Sequence, residues 1–197
     1  MYKISLIVTF ILSSYGCMAG NHQTSNTHQD VQTEKTILTG AQQTEAYLPY
    51  LKGKKVGLVI NQTAEINKVS LVDTLKSLGV DIKAIFGPEH GFRGDADAGE
   101  KVGNYTDKKT GLPVISLYGK KHAPSKEDLA NIDVLVYDIQ DVGVRFYTYT
   151  ITLAYVMQAC ADNKIPLLIL DRPNPNGQLI DGPILEPEFK SGVGIHK

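Results

Sequence analysis

The runs KVGLVI at residues 55–60 and VLVYD at residues 134–138 are of strand length and almost entirely apolar. A strand with one face in water alternates apolar and polar residues, so runs of this kind predict strands covered on both faces. Three more such strands are predicted at 80–86, 113–118 and 166–171. Helical patterns precede or separate the strands, at 44–51, 70–78, 125–131 and 148–163. We therefore predict an α/β fold, a Rossmann-like, doubly wound, mostly parallel sheet with helices on both faces.

The composition excludes several classes of protein. The chain has 197 residues, 42% of them hydrophobic and 21% charged, as in a globular protein, which excludes disordered, collagen-like and coiled-coil structures. A net charge of −1 gives no broad basic surface, so no nucleic-acid partner is expected. Two cysteines cannot form a disulfide framework or a structural zinc site. No glycine-rich nucleotide motif, serine-hydrolase elbow or histidine pair of metal-ligand spacing occurs, so no cofactor and no metal are predicted.

The N-terminus has the pattern of an export signal. Lys3 precedes the apolar run at 4–12, which is too short to anchor stably across a bilayer, and Gly16 precedes Cys17. We predict a signal peptide at 1–16 and lipidation of Cys17, which gives an exported, membrane-anchored lipoprotein facing the periplasm or cell surface. The alternative is a secreted or periplasmic protein cleaved after Ala19. Residues 17–35 are polar and predict a flexible tether, and residues 36–197 form the predicted domain.

Polar side chains follow the predicted strands. Because the carboxyl ends of parallel strands meet at one edge of a sheet, where ligands of such folds bind, we expect these side chains to share a cleft. All three arginines of the chain are among them, although it has 20 basic residues, and a guanidinium suits an anionic ligand. The candidate residues are Asn61, Glu89, His90, Arg93, Asp138, Gln140, Asp141, Arg145, Tyr147, Asp171, Arg172 and Asn174.

These residue types favour glycoside hydrolysis, which needs a carboxylic acid to protonate the leaving oxygen and usually a second carboxylate. Glu89, Asp138 and Asp141 are the catalytic candidates. Structural alternatives remain open: Asp138 or Asp171 can cap the next helix, and Arg145 can pair with Asp138 or Asp141. His90 can anchor its loop instead of contacting substrate. Cys160, in an apolar helix, is predicted to belong to the core.

Three motifs carry a resemblance to a known family: GPEHGFRG at 87–94, YDIQDVGVRFYTY at 137–149 and LDRPNPNG at 170–177. They resemble the bacterial exo-β-N-acetylmuramidase NamZ family, in the same order along the chain. The resemblance implies a glycosidase that releases N-acetylmuramic acid from the non-reducing end of peptidoglycan fragments. It also implies Glu89 as the leading catalytic carboxylate and a Rossmann-like N-terminal domain whose cleft is completed by a C-terminal domain.

Two points of the mechanism stay open at this level. The second catalytic group can be Asp141, Asp138 or the acetamido group of the substrate, and any of the three arginines can bind the lactyl carboxylate of N-acetylmuramic acid. The sequence ends before the family's second domain, so we expect this chain alone to be weakly active or inactive, with exposed apolar surface near the cleft. The alternative function is a non-catalytic lipoprotein that binds cell-wall sugars.

Overall fold

The computed structural model describes residues 37–94 and 103–195. These residues belong to one compact unit, residues 36–197. The predicted signal peptide at 1–16, the tether at 17–35 and the lipidation site Cys17 lie outside the described residues. Within the described part, no helix is long and apolar enough to cross a membrane.

The described chain contains eight strands and four α-helices. The strands are β1 Lys55–Ile60, β2 Glu65–Ile66, β3 Val69–Ser70, β4 Asp81–Gly87, β5 Tyr105–Thr106, β6 Pro113–Ser116, β7 Val134–Asp138 and β8 Leu167–Ile169. The helices are α1 Thr44–Leu51, α2 Leu71–Ser77, α3 Lys126–Leu129 and α4 Tyr149–Asn163. Two short 3₁₀ turns lie at Gly40–Gln42 and Pro187–Phe189.

Six strands form the main sheet in the order β5-β6-β4-β1-β7-β8. All pairs are parallel except β5 with β6, which is antiparallel. The five parallel strands thus follow the Rossmann order, in which the first strand is central and the connections reverse direction between β1 and β7. Ile60 pairs with Asp138 at this switch point, so Asn61 and the residues after Asp138 emerge side by side.

Two apolar cores cover the two faces of the sheet. Val56, Leu58 and Ile60 of β1 pack with α1 and α2 on one face. Val59 of the same strand packs with α3 and α4 on the other face. This separation of alternate residues is the reason that the central strands are apolar throughout, since each side chain enters one core or the other.

Gly57 of β1 allows the second core to approach the strand closely. A β-carbon at this position would lie 2.5 Å from Cδ2 of Leu135 and 2.8 Å from Cδ1 of Ile132. The register between β1 and β4 also shifts at this point, between Val56 and Gly57. Gly57 therefore fits the sheet because it has no side chain.

The predicted fold class is confirmed, and each of the five predicted strands and four predicted helices is present. The structure adds β5, at the edge of the main sheet, and a separate hairpin of β2 and β3. β2, β3 and β5 are each only two residues long, which is too short to show the alternation of a strand in the sequence. Cys160 is 4% exposed within the second core, as predicted, and its burial raises the pKa of its thiol to about 11.

Candidate active site

Glu89 lies on a tight turn directly after β4. The amide of Gly91 donates a hydrogen bond to the carbonyl of Pro88 at 2.9 Å, and His90 has a φ of 67°. A left-handed backbone is uncommon for a residue with a side chain, and such strain often marks functional sites. The turn leaves Glu89 half-buried in an open cleft of about 590 Å³.

Two side chains donate hydrogen bonds to the Glu89 carboxylate. The hydroxyl of Thr148 lies 3.1 Å from Oε2 of Glu89. The Tyr118 hydroxyl is the second donor, and its hydrogen bond to Glu89 together with the negative charge there raises the pKa of Tyr118. Thr148 immediately precedes α4 and Tyr118 follows β6, so three separate connections of the fold fix this carboxylate.

Aromatic side chains form much of the cleft wall around Glu89. The ring of His122 packs against Tyr155 with centroids 5.9 Å apart. Phe146 and the segment 191–193 also line the cleft. Glu89 is the only carboxylate among the described residues that line it. A polar group at the base of aromatic walls suits a sugar, whose ring stacks on aromatic faces while its hydroxyls bind polar atoms.

Asn61 and Gln140 lie at the switch point between β1 and β7. Oδ1 of Asn61 accepts hydrogen bonds from the amide and hydroxyl of Thr63, at 2.9 and 2.6 Å. The Thr63 hydroxyl in turn accepts a hydrogen bond from the backbone amide of Gln140 at 2.9 Å. This contact connects the ends of the two strands.

The other end of the Asn61 side chain is unsatisfied. Asn61 is 1% exposed, and its Nδ2 has no hydrogen-bond partner of normal geometry in the described part of the chain. The Asn61 side chain lies near Tyr149. Burial and the charge of Glu89 raise the pKa of Tyr149, and Asn61 opposes that rise. The hydroxyl of Tyr137 donates a hydrogen bond to the backbone carbonyl of Tyr149 at 3.0 Å.

Asp138 forms a buried ion pair with Arg172. Nη2 of Arg172 lies 2.9 Å from Oδ2 of Asp138, and its Nε donates to Oδ1 at 2.5 Å. Asp138 is fully buried, and this burial raises its pKa although Arg172 opposes the rise. The pair joins the ends of β7 and β8, and neither Asp138 nor Arg172 lines the cleft of Glu89. Its predicted catalytic role remains a prediction.

Asp141 lies in a smaller pocket of about 100 Å³, lined also by Tyr137, Tyr149, Asp171 and Arg172. Its Oδ1 accepts a hydrogen bond from the Gly143 amide at 2.7 Å. Its Oδ2 is buried without a hydrogen-bond partner in residues 37–94 and 103–195. The negative charge of Asp141 adds to the burial that raises the pKa of Tyr137.

Two of the structural alternatives are wrong. Neither Asp138 nor Asp171 caps a helix, because α4 starts after Thr148 and Oδ1 of Asp171 accepts from the adjacent Arg172 amide at 2.9 Å. Arg145 pairs with neither Asp138 nor Asp141. Its Nη2 donates to the carbonyl of Pro183 at 2.9 Å instead.

Arg93 is held by an aspartate outside the three motifs. Nε and Nη2 of Arg93 donate to the two carboxylate oxygens of Asp107, each at 2.9 Å. The hydrogen bonds from Arg93 lower the pKa of Asp107 to about 2, although burial opposes the change. The guanidinium also stacks on Phe92, 4.5 Å from the ring centroid. Arg93 therefore ties the Glu89 loop to the start of the β5–β6 connection.

The loop after β8 fits against the loop after β7. Gly143 has a φ of 71°, and a β-carbon there would lie 2.5 Å from Nδ2 of Asn174. Nδ2 of Asn176 donates to the carbonyl of Val142 at 2.7 Å. Nε2 of Gln140 adds a bond to the carbonyl of Pro173 at 2.9 Å. Asn176 and Gln140 thus bind the two loops to each other, and Asn174 packs against Gly143.

Exposed apolar side chains lie beside the cleft, as expected. Tyr147 is 42% exposed and contacts the rings of Phe146 and Tyr149, at 5.6 and 6.3 Å between centroids. Phe146, which lines the cleft, is 70% exposed, and the exposed large apolar side chains of the segment after β8 include Leu179, Ile180, Ile184 and Phe189.

The structure brings Glu89, Asn61, Gln140 and Asp141 to one edge of the sheet. Sequence reasoning did not identify Thr148, Asp107 or the segment 191–193 as parts of this region. Tyr118 follows a predicted strand and Thr148 lies within the motif at 137–149, whereas Asp107 contacts Arg93, 14 residues away, with no sequence signal. No group of three or more potential metal ligands occurs in residues 37–94 and 103–195.

Comparison with known proteins identifies relatives of the chain. Residues 56–197 match the family model described as exo-beta-N-acetylmuramidase NamZ, N-terminal. The peptidoglycan beta-N-acetylmuramidase NamZ of Bacillus subtilis strain 168 is 54% identical over 153 residues, which cover 76% of this chain and 37% of that protein. This chain therefore spans little more than a third of that relative.

Two crystal structures of DUF1343 family proteins from Bacteroides fragilis have the same fold. One is 46% identical with a TM-score of 0.69, over 80% of this chain and 40% of its own. The other is 45% identical with a TM-score of 0.70, over 79% of this chain and 40% of its own.

Proposed function

The chain belongs to the family of NamZ N-terminal domains, and on that premise we propose that it carries the cleft and the acid catalyst of an exo-acting β-N-acetylmuramidase. Its substrate is a peptidoglycan fragment with N-acetylmuramic acid at the non-reducing end. The observation that carries this proposal is Glu89, a half-buried carboxylate with two hydrogen-bond donors in a cleft with aromatic walls.

In the proposed reaction, the carboxylic acid of Glu89 protonates the glycosidic oxygen as the bond from that oxygen to the anomeric carbon breaks. The leaving saccharide departs with this proton. A water molecule then gives its hydroxyl to the anomeric carbon, and its remaining proton restores the acid form of Glu89. Thr148 and Tyr118 hold the carboxyl group in one orientation, which favours proton transfer to one oxygen.

We propose Asp141 as the second catalytic group. Asp138 is the weaker candidate, because both of its oxygens accept hydrogen bonds from Arg172 and it has no exposed surface. Asp141 keeps one oxygen without a hydrogen-bond partner among the described residues. The acetamido group of the substrate is the competing nucleophile, and a substrate without that group distinguishes the two.

Full turnover is proposed to need more of the protein than this chain. The chain covers 37% of the Bacillus subtilis relative, and its exposed apolar side chains beside the cleft are consistent with a further covering element. The decisive experiment therefore uses two proteins, this chain alone and a chimera in which it replaces the matching part of the relative.

Both proteins are assayed with a chromogenic β-glycoside of N-acetylmuramic acid. We expect the chimera to release the chromophore, and Glu89→Gln to lower its turnover at least about 100-fold, as for the loss of a general acid. Glu45→Gln is the matched control, because this carboxylate lies in the first turn of α1 and outside the cleft. Activity of Glu89→Gln within a few-fold of the parent would remove Glu89 from the reaction. Binding of the sugar without product would favour the non-catalytic lipoprotein.

We also propose that the protein is exported and anchored by a lipid on Cys17. Support comes from the sequence, in which Lys3, the apolar run at 4–12 and Gly16 precede that cysteine. Expression in a bacterial host with labelled palmitate should label the protein in the membrane fraction, and Cys17→Ser should abolish the label. Release of unlabelled protein cleaved after Ala19 would identify ordinary secretion.

A further inference from the structure

The three arginines of the chain differ in whether their guanidinium already forms an ion pair with an aspartate of the protein. Arg93 and Arg172 each use Nε and Nη2 to bind both oxygens of a buried aspartate. Arg145 donates from Nη2 to one backbone carbonyl, that of Pro183, and forms no ion pair with a described residue. Its side chain is exposed. Arg145 is thus the arginine that no carboxylate of the described residues already occupies.

Arg145 lies beside the cleft of Glu89. It lines an open cleft of about 560 Å³, and Phe146 lines both this cleft and the one that contains Glu89. The C-terminal segment also connects the two: Val193 lines the Glu89 cleft, and a β-carbon on the next residue, Gly194, would lie 3.8 Å from Cδ of Arg145. A ligand that passes Phe146 can therefore contact both Arg145 and Glu89.

The other charged groups of these clefts leave Arg145 as the best site for an anion. Asp181 lines the same cleft, but its Oδ1 accepts from the Gly182 amide at 2.6 Å and it forms no ion pair with Arg145. His122 is the other basic side chain among the described residues that line either cleft, and its ring packs on Tyr155. A planar guanidinium binds a carboxylate through two parallel hydrogen bonds, which an imidazole cannot do.

We propose that Arg145 recognises the lactyl carboxylate of N-acetylmuramic acid and so distinguishes this sugar from N-acetylglucosamine, which lacks the lactyl group. The assignment rests on the proposed function, because it takes the substrate class from it. It assigns the binding of the lactyl carboxylate to one arginine, whereas the sequence leaves all three as candidates. Arg93 and Arg172 then have structural roles, since each joins two loops at the edge of the sheet.

Calorimetry of the chimera, whose form without substitutions is called the parent chain, with three sugars tests this assignment. The sugars are N-acetylmuramic acid, its lactyl amide and N-acetylglucosamine, of which only the first carries the carboxylate. We expect the parent chain to bind the acid at least tenfold more tightly than the amide. Arg145→Gln should reduce this preference to less than about twofold and leave the affinity for the two neutral sugars unchanged. Arg145→Lys should keep an intermediate preference, because it retains the charge and loses the planar geometry.

Two matched variants separate the assignment from a general effect of charge. Lys52→Gln removes a positive charge at the exposed end of α1 and should leave the preference intact. His122 lines the cleft, so His122→Gln should weaken all three sugars alike and leave the preference intact, and loss of the preference in this variant alone would overturn the assignment to Arg145. Equal weakening of all three sugars by Arg145→Gln would indicate a structural role and would also overturn it.

The test distinguishes failure of this assignment from failure of the proposed function. A parent chain that prefers the acid while Arg145→Gln keeps the same preference refutes only the role of Arg145. A parent chain that binds none of the three sugars refutes the proposed substrate class and the assignment together.

Discussion

The hydroxyl of Thr148 donates a hydrogen bond of 3.1 Å to Oε2 of Glu89, a residue 59 positions earlier in the chain. The contact joins the turn after β4 to the residue before α4, across the edge of the sheet. Thr148 does not cap α4 with its side chain, so its hydroxyl is available to Glu89. Because the hydroxyl does not cap α4, a substitution of Thr148 tests its contact with Glu89 with little effect on the helix.

Thr148→Val should lower kcat of the chimera about fivefold and leave KM nearly unchanged, since one hydrogen bond that orients the acid contributes about 1 kcal/mol. Thr148→Ser keeps the hydroxyl and should retain most of the activity. The pH profile of kcat should shift in the valine variant and stay unchanged in the serine variant. A loss in the serine variant with none in the valine variant would show that the methyl group, and not the hydroxyl, matters.

Asp141→Asn should lower turnover at least about 100-fold if this carboxylate acts as nucleophile or base. Added azide should restore part of the rate when the carboxylate is the nucleophile, because the anion can attack the anomeric carbon in its place. A glycoside without the 2-acetamido group gives the contrasting measurement. If the parent cannot hydrolyse that substrate and Asp141→Asn is fully active on the natural one, the acetamido group is the nucleophile.

The Asp107–Arg93 pair should make folding stability depend on acid pH. The pKa of Asp107 is lowered from 3.8 to about 2 in the folded state, so its stabilising effect is complete above the unfolded pKa and is lost as the pH falls toward 2. The shift corresponds to a contribution on the order of 2 kcal/mol. Urea unfolding at pH 6, 4, 3 and 2 measures it.

Asp107→Asn is the variant that isolates this contribution. The difference in unfolding free energy between the parent and the variant should be largest near pH 6 and should shrink by about 2 kcal/mol at pH 2. A difference that stays constant over this range would mean that the charge of Asp107 does not stabilise the fold.

Gly57→Ala should destabilise the fold by about 1–3 kcal/mol, because the added methyl group overlaps Leu135 and Ile132 in the second core. Gly103→Ala is the control, since a β-carbon at Gly103 meets no described atom within 4 Å. Thermal and urea unfolding compare the two. Equal stability of the variants would show that β1 can move away from the core at little cost.

The sequence predicts the sheet well because each of the five parallel strands is apolar on both faces, and this pattern needs no knowledge of distant partners. The β2–β3 hairpin and β5 escape prediction because two residues cannot display a period. For the site, the rule that parallel strands end at one edge is sufficient to bring Asn61, Glu89 and Asp141 to the same edge.

Side-chain pairing at that edge is less predictable. The sequence predicts that the arginines bind an anionic ligand and does not predict the pairing of Arg93 with Asp107 or of Arg172 with Asp138, which depends on loop geometry. The same holds for Thr148, whose hydroxyl could equally have capped α4. A residue type therefore predicts the kind of partner, while the path of the loops determines which partner it meets.

Residues 191–193 form part of the cleft wall, so the cleft is completed late in the synthesis of the chain. Glu89 leaves the ribosome well before this segment is synthesised, and the two are separated by about half of the chain. A nascent chain can therefore form its central strands while this wall of the cleft does not yet exist. Translation that stops before residue 191 would leave Glu89 in a more open groove, even if the sheet beneath it had already folded.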